Sequence, residues 1–145
     1  MSPASRIPAG FRALERLSPF NAMVGPLYAR KRKGHELSIG LRIEHKHTNS
    51  RGICHGGVLA TVADLALGYA MHVKMGGKAA FVTAHLAVDY AGSARVGDWI
   101  EAQVEIQRVG TRLAFANCYL VAAGRPIVRA SAIFARAELV PAKGG

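Results

Sequence analysis

Leu37, Ile39, Leu41 and Ile43 alternate with Ser38, Gly40, Arg42 and Glu44. A period of two puts every second side chain on one face, so the run predicts a strand with one buried side. Ile100, Ala102, Val104 and Ile106 alternate with Glu101, Gln103, Glu105 and Gln107 in the same way. Further strands are expected at Leu27 to Lys33, Ala80 to Tyr90, Arg112 to Ala122 and Ile127 to Leu139. Lys33-Gly34, Gly110-Thr111 and Ala123-Gly124-Arg125 supply turns between them. From Val58 to about Val73 the pattern changes: Ala and Leu dominate, and the run is apolar nearly all round. That predicts a helix wrapped by protein on most sides, stopped by Gly76-Gly77. Phe11, Leu14 and Leu17 recur at helical spacing, so residues 1–22 are read as a short helical segment that Ser18-Pro19 ends. The order is helix, two strands, one apolar helix, four strands. A single antiparallel sheet wrapped around one central helix satisfies both patterns, which is an α+β arrangement.

A chain of 145 residues fits one domain over 1–145 and is long enough to bury a core without disulfides. Its two cysteines, Cys54 and Cys118, make no disulfide framework. Met1 to Gly10 lacks the apolar stretch of a signal peptide, and Val58 to Met71 is shorter than the roughly 20 residues of a spanning helix. The expectation is a cytoplasmic protein with no membrane partner. The formal net charge of +10 attracts polyanions: nucleic acid, an anionic membrane, or a small ligand with several phosphates. Arg30-Lys31-Arg32-Lys33 reads as a solvated edge strand able to meet such phosphates. Few aromatic residues accompany it and no nucleic-acid motif is present, so nucleic acid is not expected.

The chemistry concentrates in Asn49-Ser50-Arg51-Gly52-Ile53-Cys54-His55-Gly56-Gly57 and the helix that follows. Two glycines at a helix start allow close approach to backbone. The first helical N–H groups lack internal partners and sit at the positive end of the helix dipole. Such an end suits an anion, or a carbonyl oxygen about to become one. By themselves the glycines are better read as a tight loop-to-helix junction. Asp64 is the only formal charge between Arg51 and Lys74, on an apolar helix. A carboxylate there is costly unless it is paired or used. His45, His47, Cys54 and His55 fit no standard zinc spacing, so no metal is expected. Cys54 is expected to be a buried or loop cysteine rather than a nucleophile paired with its neighbour His55. His85, Trp99 and Phe115 read as structural.

The run from Asn49 through Asp64 resembles the hotdog-fold thioesterases, and most of all their phenylacetate-pathway branch, in which an Asn-x-x-Gly-x-x-His-Gly-Gly loop enters the central helix and an Asp follows. Pro19 to Gly25, Leu86 to Tyr90 and Val96-Gly97-Asp98 extend the likeness over most of the chain. The resemblance implies acyl-CoA thioester hydrolysis without a cofactor. It implies Asp64 as general base or nucleophile, and Gly56 as the residue whose N–H polarises the thioester carbonyl. Asn49 would place water or substrate, Thr83 would assist the carboxylate, and His55 and Gly57 would complete the substrate-binding turn. It also implies a homodimer or homotetramer with sites at a subunit interface. Spacing points the same way. Gly56 and Asp64 are eight residues apart on one helix, about 12 Å along its axis. One thioester carbon cannot meet both, so a shared substrate requires Asp64 from a second subunit. A non-hydrolysing acyl-CoA-binding module and a hotdog dehydratase or hydratase are the alternatives.

Overall fold

The computed structural model describes residues 6–15, 17–33 and 37–138. In chain order these form β1 (Arg12–Ala13), α1 (Pro19–Val24), β2 (Leu27–Arg30), β3 (Ser38–Arg42), a single 3-10 turn at His45–His47, α2 (Gly56–Lys74), β4 (Ala80–Tyr90), β5 (Trp99–Val109), β6 (Leu113–Ala122) and β7 (Arg125–Ala137). The strands make one antiparallel sheet in the order β1-β2-β3-β5-β6-β7-β4. α2 packs across β3 to β7. This is the predicted sheet around a central helix. The helix is 19 residues long, and Leu59, Val62, Ala63, Ala66, Leu67 and Ala70 are buried in the core, while Val73 near its end is exposed.

The period-two runs set the core. Ile39 and Leu41 of β3, Ile100 of β5 and Leu120 of β6 are fully buried, facing Val62, Ala63, Ala66 and Leu67 of α2. Each buried aliphatic side chain of that size contributes about 1.5–3 kcal/mol. Small residues on the inner face, such as the paired Ala116 and Ala132, let the helix lie close. Ala123 and Gly124 both hold positive φ, 49° and 75°, as a two-residue hairpin turn with the twist of its strands requires.

The N-terminal expectation is corrected. Residues 11–15 are not helical; Arg12–Ala13 pairs with β2 as a short outer strand. Ser18-Pro19 begins a helix instead of ending one. The Ser18 side chain accepts the Asn21 N–H at 3.2 Å, and Pro19 occupies the first helical position, where no donor is lost. The helical spacing of Phe11, Leu14 and Leu17 has a nonlocal cause: Phe11 meets Trp99 edge-on at 5.0 Å, while Leu14 and Leu17 pack on the core. Because β1 lies outside β2, Arg30 is not on a solvated edge. It reaches Glu101 at 2.7 Å and covers the Phe11 ring. Residues 1–5, Gly34 of the expected Lys33-Gly34 turn, and Leu139 at the expected end of the last strand lie outside the described residues.

Trp99 is a packing residue, as expected, on the sheet face away from α2. Its ring lies across Gly40, where any Cβ would overlap it, and the Arg42 guanidinium sits 5.0 Å above. His85 is corrected: it is exposed, opposite Ile133 on that same outer face, which nothing among the described residues covers there.

Candidate active site

The loop before α2 is closed by Asn49. Its Oδ1 accepts the Arg51 N–H at 2.9 Å and the Ile53 N–H at 3.4 Å, and its own N–H donates to the Ile53 carbonyl at 2.8 Å. The Cys54 N–H then donates to Ala94 O and the His55 N–H to His47 O, both at 2.8 Å, fastening the loop to its neighbours. His47 is itself buried. Its Nδ1 accepts the Glu44 N–H, which leaves Nε2 to donate to the Val24 carbonyl at 2.6 Å.

His55 is the N-cap of α2, and its Nδ1 accepts the Gly57 N–H at 2.8 Å. The Val58 and Leu59 N–H groups donate to the His55 carbonyl. Three of the first four helical donors are thereby used, and the Gly56 N–H is left for an outside acceptor. This separates the two glycines: Gly57 serves the cap, while the Gly56 N–H, at the positive end of the helix dipole, has no acceptor among the described residues. Tyr90, at the end of β4, donates its hydroxyl to the Gly56 carbonyl at 2.8 Å. A Cβ on Gly56 would lie 3.4 Å from the Tyr90 ring. Sequence reasoning missed Tyr90, because nothing local ties a strand end to a helix start 34 residues earlier.

Asp64 lies about two turns further along α2. Its Oδ1 accepts the Thr83 hydroxyl of β4 at 2.8 Å. The expected burial of Asp64 is corrected: it is half-buried, because one flank of α2 is left open beside the edge strand. There Asp64 and Thr83 border a cavity of about 440 Å³ with Leu65, Phe81 and Phe134 as apolar walls. Asn21 and Tyr69, joined by a 3.4 Å hydrogen bond, also line it, and neither was singled out from sequence. Asn49, His55, Gly56 and Gly57 are not among its lining residues. One chain thus brings Asp64 to Thr83, and separately gathers Asn49, His55, Gly56 and Gly57 at the helix start.

Cys54 is buried, and burial pushes its thiol up to about 11, so it is not a ready nucleophile. Cys118, deeper in the sheet, is pushed up to about 12. Among the described residues no three His, Cys, Asp or Glu side chains gather as metal ligands would.

An antiparallel sheet wrapped around one long central helix is a hotdog fold. Within it, the family model described as the thioesterase superfamily matches residues 51–128, and the chain belongs to that superfamily. It is 41% identical over 128 residues to "Putative esterase PA0474" of Pseudomonas aeruginosa, spanning 88% of this chain and 96% of that protein. It is 32% identical over 82 residues to acyl-coenzyme A thioesterase 13 of Mus musculus, spanning 57% of this chain and 58% of the relative. Two solved structures share the fold. A mutant of the phenylacetic acid degradation protein PaaI from Thermus thermophilus has a TM-score of 0.74 at 22% identity, covering 83% of this chain and all 100% of that one. A hypothetical thioesterase from Streptococcus pneumoniae, solved with coenzyme A, has a TM-score of 0.69 at 17% identity, covering 77% and 85%.

Proposed function

We propose that this protein hydrolyses acyl-CoA thioesters to the free acid and CoA in a homodimer whose sites are shared between subunits. The observation that carries the reading is the Thr83–Asp64 hydrogen bond opening into an apolar-walled cavity. An acceptor-only carboxylate held by one hydroxyl keeps lone pairs for a water proton or for direct attack. Asp64 acts as general base, or as nucleophile, toward the thioester carbon. The oxygen of the tetrahedral intermediate takes the free N–H of Gly56, at the N-terminus of α2. Collapse expels the CoA thiolate, which takes up a proton. Water attack thus adds OH to the acyl group and H to sulfur.

The helical distance between Gly56 and Asp64 requires the two groups on one substrate to come from different chains. β4 supports a dimer. It is an edge strand of 11 residues carrying Thr83, with one hydrogen-bonding side unpartnered among the described residues, and such edges invite pairing with a second strand. Asn49 lies on the loop that leads into Gly56; its Oδ1 is taken by the Arg51 and Ile53 N–H groups, so its side-chain NH2 is the group that would order the attacking water. Support for CoA as the carrier comes from the mouse relative and from the coenzyme A in the Streptococcus structure. The test is thiol release across short, long and aromatic acyl-CoAs. Asp64→Asn keeps the shape and removes the base, so kcat is expected to fall roughly a hundredfold. Unchanged turnover in the folded variant eliminates this role.

A further inference from the structure

Gly68 stands one helical turn beyond Asp64 and one turn before His72, and all three border the same cavity. Residues four apart share a helix face, so they form one stripe. It runs about 12 Å from Asp64 to His72 at the standard rise. Phe81 and Phe134 border the same space, and His72 is exposed at the far end. The cavity is therefore a groove that continues away from the carboxylate, open at its distal end.

Glycine inside a helix is disfavoured because it costs backbone entropy and packs nothing. Gly68 has no local need for it. A Cβ added there would meet no atom of the described residues within 4 Å, and its φ is not in the left-handed region. The structure instead leaves open space where its side chain would be. We infer that Gly68 is a specificity-determining residue: its missing side chain keeps the groove clear for an extended acyl chain running from Asp64 toward His72. This rests on the proposed hydrolysis for what delivers the chain, but not for the binding itself. Acyl rather than pantetheine is the occupant, because the space past Gly68 is walled by Met71, Ala79, Ala80, Phe81 and Phe134, and the polar lining nearer Asp64 is already paired, Thr83 with Asp64 and Asn21 with Tyr69, so pantetheine amides buried there would be costly. A hydrocarbon chain loses nothing in the same place.

The experiment uses two non-hydrolysable thioethers, S-octyl-CoA and S-ethyl-CoA, titrated calorimetrically into wild type, Gly68→Ala and Gly68→Leu. Hydrolysis of octanoyl-CoA and acetyl-CoA is followed alongside. Wild type should bind the octyl compound more tightly than the ethyl one. Gly68→Leu should weaken octyl binding about tenfold or more, in the range a filled hydrophobic pocket commands, and change ethyl binding by less than about twofold. Gly68→Ala should fall between, with Tm at or above wild type, so it reads the effect even if the Leu variant folds poorly. Equal losses for both compounds would assign the groove to pantetheine and overturn the inference, as would no loss for either. If the octyl-selective loss appears but no thioester is hydrolysed, the groove stands and the hydrolytic reading falls.

Discussion

The Thr83 hydroxyl donates a 2.8 Å hydrogen bond to Asp64 Oδ1, joining the edge strand to the central helix across 19 residues of sequence. A hydrogen bond to a carboxylate is worth about 1.5–3 kcal/mol, and 1.4 kcal/mol is about tenfold in rate. Thr83→Val keeps the volume and removes the donor. Its kcat is expected to fall about tenfold with KM little changed, and Thr83→Ser should restore most of it. Wild-type kcat in Thr83→Val would mean that the bond only stiffens the fold.

Shared sites can be tested by mixing defects. Asp64→Ala and Asn49→Ala, each expected to be inactive in the proposed homodimer, are unfolded together and refolded. Each mixed dimer has one site with both defects and one with neither. Random pairing in a two-fold dimer restores about a quarter of wild-type sites. If mixed dimers form and remain as inactive as their parents, every site is built within a single chain.

Gly40 and Trp99 are a fitted pair on the outer sheet face, with no room for a methyl group between them. Gly40→Ala should displace the ring and cost roughly 1–3 kcal/mol, as overpacking does. The chain has a single Trp, so its fluorescence reports the displacement directly. A lowered Tm with a shifted emission maximum is expected; an unshifted spectrum at unchanged Tm would contradict the packing.

Both cysteines are held as neutral thiols, with Cys54 pushed up to about 11 and Cys118 to about 12. Iodoacetamide at pH 7.5 should leave the folded enzyme's turnover unchanged, and rapid inactivation would reinstate Cys54 as a nucleophile. The linkage runs one way. Each thiol's folded value lies above the ordinary thiol value of 9.0, so their contribution to stability is complete below pH 9. It is lost as pH climbs toward 11 and 12, because the unfolded chain ionises first. Thermal melts at pH 8, 9.5 and 11 should show this fall, and Cys118→Ala should flatten it.

The strands and the central helix were legible in the sequence because their signals are local. Alternation in Ile100 to Gln107 and the apolar run after Gly57 each select one backbone state without reference to the rest of the chain. β4 has the expected ends, whereas α2 begins at Gly56, two residues before the expected Val58, because the His55 side chain caps it there. The exposed flank of α2 does not follow from such signals, because apolarity says a side chain avoids water, not which neighbour is present to cover it. Ser18-Pro19 was misread for a related reason: the same dipeptide can stop a helix or start one, and only the Asn21 N–H on Ser18 decides.

The sequence by itself determined that Gly56 and Asp64 ride one helix about 12 Å apart, since helical hydrogen bonds make that distance independent of context. It also determined that Gly56-Gly57 opens that helix. Only the tertiary structure decided that β4 pairs with β7 at the sheet edge, that Thr83 reaches Asp64, and that Tyr90 closes on Gly56. It also decided which of the two glycines keeps a free N–H. Many strand orders satisfy the same alternation, and contacts between residues far apart in the chain depend on which order the packed core selects.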